Sequence, residues 1–283
     1  MSLTVKAYAK INLWLDITGK RSDGYHTLNT VMRRIDLYDD VTVETNGSGE
    51  VSVSCDVQNI PSDEQNIAYK AAKAFFMRTG KNMGANIHIV KRIPTEAGLG
   101  GSSADGAAVL SALNELCGHP FTVPELCGIG ASLGADIPFC IAGGTAKCTG
   151  IGDIIEPVPC SDFAVLVVKP EFSCNTAEAY RKYDSSPIPE RPGFDVFCAS
   201  LINTRSQFSS NMYNVFEKLY CNEKIERIKT DLLEAGAKGA CMSGSGSAVF
   251  GIFDSIEGAG KAAEMLGYGT KFAVKAMVLL PKS

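Results

Sequence analysis

The chain has 283 residues, of which 45% are hydrophobic and 20% charged, a balance typical of folded globular proteins that excludes wholesale disorder. At this length one large domain or two ordinary ones can bury a full core. Lys and Arg number 27 against 31 Asp and Glu, a net charge of −4 and a pI near 5.5, which gives a nucleic-acid-binding role no support.

Lys6 to Ile17 mixes apolar and polar residues in a strand-like way and ends at Thr18-Gly19. The loop from Lys20 to His26 precedes a second apolar segment that runs through Leu37. Val41–Thr45 and Glu50–Cys55 alternate at period two around Asn46-Gly47-Ser48-Gly49, which predicts a hairpin. Asn66 to Phe76 is Ala-rich with helical spacing, and Gly80 closes it. Ile87 to Val90 is a short strand before Pro94, and a glycine-rich loop then enters a helix that lasts to about Leu116. Another helix, Pro124 to Leu133, stops at Gly134. Ala164 to Val168 is a continuous apolar run suited to a buried strand. Helical patterns follow at Asn211–Tyr220, Glu223–Ala235 and Ile256–Leu266, with Gly236 and Gly267 as stops. Strands are expected at Ser247–Phe253 and Phe272–Leu280, and prolines 187, 189 and 192 mark a surface loop. Regular structure is most interrupted between Gly150 and Ser161, which divides the chain into domains 1–152 and 153–283.

Ten cysteines form no Cys-x-x-Cys pair and only three histidines are present, so no zinc or iron–sulfur spacing emerges. A core of this size needs no disulfide framework. The opening Met1 to Lys6 has the character of neither a signal peptide nor a presequence, and no apolar run approaches the ~20 residues of a membrane span. The expectation is a reduced, soluble, cytoplasmic α/β protein with neither nucleic acid nor membrane as a partner.

The strongest local signal is Pro94-Thr95-Glu96-Ala97-Gly98-Leu99-Gly100-Gly101-Ser102-Ser103-Ala104-Asp105. It follows a strand and opens a helix of small residues. Its glycines can turn backbone N–H groups inward while the helix N-terminus adds its dipole, which suits an anion. A tight connection that binds nothing would use the same glycines. No Gly-x4-Gly-Lys-Ser/Thr and no complete Gly-x-Gly-x-x-Gly occurs, which excludes a Walker loop and weakens a dinucleotide fold. Phosphoryl transfer would also need a cation near the transferred group and a carboxylate for the acceptor hydroxyl. Lys10 lies inside an apolar strand, where an unpaired lysine is expensive to bury. Asp136 lies between a helix end and Ile137, which precedes Pro138 and reads as extended. Singly, Lys10 reads as a snorkelling strand residue and Asp136 as a turn or cap. With the glycine loop they read as a phosphoryl-transfer set.

These segments resemble the GHMP kinase superfamily over nearly the whole chain. Gly98 to Ala108 is similar to its second motif, Met242-Ser243-Gly244-Ser245-Gly246 to its third, and Leu133 to Pro138 to the segment with its catalytic aspartate. Ala7 to Leu13 with Gly19 to Leu28 resembles the branch that acts on a cytidylated methylerythritol. Ser102 stands where the pattern usually has glycine and Ala104 where it has serine, so either Ser102 or Ser103 would face the phosphates or the metal.

The resemblance implies an α/β (α+β) kinase of two domains with the active site in their cleft. The N-terminal domain would resemble ribosomal protein S5 domain 2, and the C-terminal one a ferredoxin-like sandwich. It implies ATP-dependent phosphorylation of the C2 hydroxyl of 4-diphosphocytidyl-2-C-methyl-D-erythritol in the non-mevalonate isoprenoid pathway. ATP would lie along Pro94, Gly98, Leu99, Gly100, Gly101, Ser102 and Ser103, with adenine near Asn66 and Lys91. Mg2+ would bridge the phosphates, with no protein ligand assigned. Asp136 would take the hydroxyl proton, and Lys10 would hold Asp136 ionised and stabilise the alkoxide. Asn12, Tyr25, His26, Thr176 and Tyr180 would bind the substrate, with Tyr25 and Tyr180 clamping the cytosine. Gly244, Ser245 and Gly246 form the third glycine motif, which otherwise reads as a turn. His88 is expected to satisfy a strand neighbour or face solvent, and Trp14 to be core. The competing readings are a homoserine or mevalonate kinase, a catalytically silent nucleotide sensor and, from fold analogy alone, an RNA-binding module.

Overall fold

The computed structural model describes residues 1–58, 60–186, 191–202, 208–220 and 222–275. Two compact units emerge, neither contiguous in sequence. Met1–Ala9, Leu37–Thr95 and Gly100–Gly143 form the first; Lys10–Asp36, Glu96–Leu99 and the chain from Gly144 onward form the second. The two opening strands serve both: β1 is Ser2–Lys20 and β2 is His26–Asn46.

The first unit adds β3 (Val51–Cys55), α1 (Ile67–Thr79), β4 (Gly84–Val90), α2 (Gly101–Leu116), α3 (Val123–Ala131) and α4 (Ile137–Ala142). β2 pairs antiparallel with β4, from Asp40 opposite Val90 to Asn46 opposite Gly84. β3 pairs parallel with β4, so β4 separates β2 from β3 and the predicted hairpin is overturned. The turn residues do reverse the chain, with Asn46 Oδ1 accepting from Ser48 N and Oγ. They carry it past a strand position, which β4 fills with its buried Ala85, Ile87 and Ile89. Gly84 passes so near that a Cβ there would lie 1.9 Å from Glu50 O. Alternation identifies a strand and its faces, but not its neighbour.

Asn66 caps α1 by accepting from Ala68 N, and Gly80 ends it at φ 67°. α2 rests on α1 through small residues; a Cβ on Gly106 would lie 2.6 Å from Ile67 Cγ2. Thr122 and Glu125 form a capping box for α3. α4 corrects the extended reading of Ile137, which is helical with Pro138 in the first turn. The N–H that proline lacks has no helical partner there in any case.

The second unit adds β5 (Thr145–Thr149), β6 (Ile154–Pro157), β7 (Ala164–Lys169), α5 (Thr176–Ser185) and α6 (Phe194–Ser200). It continues with β8 (Tyr213–Asn214), α7 (Val215–Tyr220), α8 (Glu223–Glu234), β9 (Gly239–Met242), β10 (Val249–Phe253), α9 (Ile256–Met265) and β11 (Thr270–Lys275). β5 pairs with β2, Thr30 opposite Cys148, and β6 with β5. A separate sheet has the order β11-β7-β10-β9 with every pair antiparallel. With helices between β7 and β9 and between β10 and β11, this is the βαββαβ ferredoxin-like arrangement.

The helix expected from Asn211 begins only at Val215, because Tyr213–Asn214 instead pairs parallel with β1, Tyr213 opposite Trp14. Trp14 is 1% exposed and packs 5.0 Å from the Phe197 ring and 5.1 Å from that of Tyr213. The last predicted strand is present to Lys275; its residues 276–280, like prolines 187 and 189, lie outside the described residues. Among the described residues no helix is long and apolar enough to cross a membrane.

Candidate active site

Glu96, Gly98 and Gly100 have φ of 51°, 74° and 72°, left-handed values at alternate residues that turn backbone N–H groups toward one side of the loop. Close approach is a second reason for glycine at position 98. A Cβ on Gly98 would lie 2.0 Å from Ser243 O, and one on Gly244 would lie 3.0 Å from Gly98 O. Ser243 Oγ donates to Gly98 O at 2.8 Å and accepts from Asn12 N at 3.3 Å. Lys10 N donates to Leu99 O at 3.0 Å, and Ala248 N to Ala97 O at 3.1 Å. Residues 96–99 are therefore strung between β1 and the Met242–Gly246 turn, which joins the two glycine motifs. Asn214 Nδ2 braces that turn by donating to Met242 O and Gly244 O at 2.7 and 2.8 Å. Asn214 carries no motif, and sequence reasoning missed it. Ser245 Oγ lies 2.8 Å from Thr176 Oγ1, which ties the third motif to the start of α5.

Lys10 is 4% exposed, and a buried ammonium needs acceptors. One is Asn12 Oδ1 at 2.7 Å. Asn12 Nδ2 donates to Thr30 Oγ1 at 2.9 Å, and that hydroxyl donates to Trp14 O at 2.6 Å. Donors along this relay all run away from the lysine, so Asn12 can turn only its oxygen toward Nζ. Tyr180 stacks on His26, ring centroids 4.8 Å apart at 26°, and meets Phe216 edge-on at 5.1 Å. Tyr25 is 61% exposed. His26 rather than Tyr25 thus lies on a face of Tyr180. His26 Nε2 is 2.7 Å from Asp184 Oδ1.

In the first unit Gly100 is the N-cap of α2, and Ala104 N makes the first helical bond, 2.8 Å to Gly100 O. The N–H groups of Gly101, Ser102 and Ser103 are left without intrahelical partners, a terminus ready for an anion. Ser102 is exposed and Ser103 half-buried. Lys91 Nζ contacts Asp39 Oδ2 at 2.5 Å and Asp105 Oδ2 at 2.8 Å. It lies beside the helix start, 3.4 Å from where a Gly101 Cβ would be. Asp39 Oδ1 also accepts from Arg92 N and Ile93 N at 2.5 and 2.8 Å. Burial pushes the Asp105 carboxyl up to about 7, against the attraction of Lys91 and with Asp39 adding to it. Asp39 and Asp105 were not among the sequence candidates: Asp39 lies beside Asp40 and near Asp36, and Asp105 among small and polar residues, so neither stands out.

Asn66 and Lys91 both have their polar groups engaged within the protein. Besides capping α1, Asn66 donates from Nδ2 to Pro61 O at 2.6 Å. Asp136 is half-buried at the N-cap position of α4, where Cys140 N donates to its backbone oxygen at 3.0 Å. Among the described residues no three His, Cys, Asp or Glu side chains group to hold a metal.

The chain is similar to known proteins over most of its length. Residues 66–144 match the model of the GHMP kinases N terminal domain, and residues 204–269 that of the GHMP kinases C terminal domain. The 4-diphosphocytidyl-2-C-methyl-D-erythritol kinase of Clostridium botulinum (strain Alaska E43 / Type E3) is 42% identical over 268 residues, 93% of this chain and 95% of that protein. Its counterpart from Caldicellulosiruptor bescii is 40% identical over 281 residues, 98% and 97% of the two chains. Among solved structures, a 4-(cytidine 5'-diphospho)-2C-methyl-D-erythritol kinase superposes with a TM-score of 0.82 at 30% identity, covering 96% of this chain and 98% of that one. Matches at this identity cover more than nine-tenths of the chain, and the chain belongs to the 4-diphosphocytidyl-2-C-methyl-D-erythritol kinase family of the GHMP kinases.

Proposed function

We propose that the protein transfers the γ-phosphoryl group of ATP to the C2 hydroxyl of 4-diphosphocytidyl-2-C-methyl-D-erythritol, a step of isoprenoid-precursor synthesis. The observation that carries this reading is the junction of Gly98 with Ser243, with Lys10 N on Leu99 O. It fixes a phosphate loop against the strand that bears a buried ammonium.

In the reaction the hydroxyl oxygen forms a bond to the γ-phosphorus, the bond from that phosphorus to the bridging oxygen breaks, and ADP leaves. Asp136 accepts the hydroxyl proton as general base and later returns it to solvent. Lys10 stabilises the developing alkoxide, and Asn12 orients its Nζ. Backbone N–H groups from Gly98 to Ser103 hold the phosphates, with adenine beside Asn66, the Lys91 stem and Pro94. Asn12, Tyr25, His26, Thr176 and Tyr180 hold the cytidylated alcohol, and Gly244, Ser245 and Gly246 shape the wall next to Thr176.

Magnesium would draw most of its oxygens from phosphates and water, and Ser102 or Ser103 would be the side chain facing it or the phosphates. When bound, the ion offsets phosphate charge. The division at 152/153 is supported by the two family matches, 66–144 and 204–269, which fall on either side of it.

The direct test is incubation of the purified protein with ATP, magnesium and a panel of alcohols. The cytidylated methylerythritol should be phosphorylated, and homoserine and mevalonate should not. Preference for either of those would replace this reading.

A further inference from the structure

We propose that Asp184 is a specificity-determining residue that acts through His26, fixing which ring nitrogen carries the proton and so which pyrimidine the site accepts. This rests on the assignment of His26 to the cytidine subsite.

The geometry is that of a caged imidazole. β2 begins at His26, and α5 supplies three side chains around its ring. Tyr180 stacks on it at 4.8 Å, Tyr183 meets it edge-on at 5.9 Å, and Asp184 Oδ1 takes Nε2 at 2.7 Å. Tyr180 and Asp184 are four residues apart, so one helical face presents both. Tyr183 Oη donates to Ile17 O at 3.1 Å and accepts from Arg191 Nη2 at 2.6 Å, which fastens α5 to β1. The other Asp184 oxygen lies 2.5 Å from Lys20 Nζ, and hydrogen bonds from Lys20 and then His26 hold the Asp184 carboxyl below its ordinary range.

An ionised carboxylate can only accept a hydrogen bond, so the neutral ring must carry its proton on Nε2. Nδ1 is then a lone pair, and among the described residues it has no protein partner. Stacking treats cytosine and uracil alike. At the 4-position, however, cytosine offers an amino donor and uracil a carbonyl acceptor. An Nδ1 lone pair facing that position accepts from the first and repels the second. Asp184 thereby converts an aromatic platform into a reader of the 4-amino group, although it does not itself touch the base.

The test compares kcat/KM for the cytidine diphosphate substrate and its uridine diphosphate analogue at pH 8. Proteins are the wild type, Asp184→Asn and His26→Ala. An asparagine can turn its amide nitrogen toward Nε2 and so permit the other tautomer. Asp184→Asn should lower the cytidine-over-uridine ratio roughly tenfold or more, the scale of one hydrogen bond, with KM for ATP unchanged as the sign of an intact fold. A readout independent of activity is nitrogen-15 NMR of the imidazoles. With three histidines in the chain, the His26 signals are assigned by their loss in His26→Ala. Wild type should show Nε2–H, and Asp184→Asn a mixture. If Asp184→Asn keeps both the ratio and the Nε2–H form while His26→Ala collapses the ratio, the role of Asp184 is overturned and the His26 subsite stands. If His26→Ala keeps the ratio, the subsite assignment fails and the proposal with it.

Discussion

Gly98 and Ser243 meet backbone to backbone: the Ser243 hydroxyl donates to Gly98 O at 2.8 Å, and a Cβ on Gly98 would lie 2.0 Å from Ser243 O. The loop at 96–99 is held here and by two backbone bonds, from Lys10 N to Leu99 O and from Ala248 N to Ala97 O. Gly80 provides the comparison, with a similar φ of 67° but nothing within 4 Å of its absent Cβ. Gly80→Ala should cost only the left-handed strain of ~1–2 kcal/mol. Gly98→Ala should cost clearly more and weaken ATP binding, as read by urea midpoints and nucleotide titration. Equal midpoints for the two variants would show that the Gly98 approach is not needed.

Asp136→Asn should abolish turnover while ATP still binds. Asparagine is as acceptable as aspartate at a helix N-cap, so α4 keeps its start, but the amide cannot take the hydroxyl proton. Loss of a general base costs ~10²–10⁴-fold. Single-turnover phosphoryl transfer beside equilibrium ATP binding checks this. Near-normal turnover would reduce Asp136 to the cap of a short helix.

What the sequence made legible follows the range of the signal. Asn66 and Gly80 bracket α1 because a cap and a left-handed stop act within one or two residues. Glycines 98, 100 and 244 were visible as permission for unusual backbone. What they approach was not, since Gly98 and Ser243 are 145 positions apart. The β2–β3 hairpin failed for the same reason: β4 slots between two strands whose own residues do not reveal it. Asp184 stayed hidden because a carboxylate on a polar helix is ordinary until His26 is seen against it. Lys10 and Asp136 read as a set only beside the glycine loop; alone, each has a commonplace explanation.

Tyr25→Ala should raise KM for the cytidylated substrate roughly tenfold or more, the magnitude of one base–aromatic stack, with KM for ATP unchanged. Since Tyr25 is 61% exposed, the change should alter stability by no more than ~0.5 kcal/mol. Steady-state kinetics with each substrate varied in turn decides it. Tyr180→Ala should raise the same KM, and it also removes the platform beneath His26, so its melting temperature should fall where that of Tyr25→Ala does not. Should both variants weaken ATP and spare the cytidylated substrate, the two nucleotide sites are exchanged.

Asp39 and Asp105 flank one ammonium but should respond oppositely to neutralisation. Asp39 satisfies two backbone N–H groups as well as Lys91, so Asp39→Asn turns a donor toward the ammonium and leaves Asp105 as its remaining carboxylate, at ~3–5 kcal/mol. Asp105 is raised by burial to about 7, above its unfolded value near 4. Below about pH 4 both states hold the proton and Asp105 contributes nothing to the pH dependence. Between about 4 and 7 only the folded state holds it, so stability falls as pH rises, by up to about 1.4 kcal/mol per unit. Above 7 the whole penalty is present. Asparagine never ionises, so Asp105→Asn should remove this slope and match or exceed wild-type stability at pH 8, with the difference shrinking toward pH 4. Urea midpoints at pH 5 and 8 measure it. An Asp105→Asn protein destabilised most at pH 8 would mean that the ionised carboxylate is what holds Lys91.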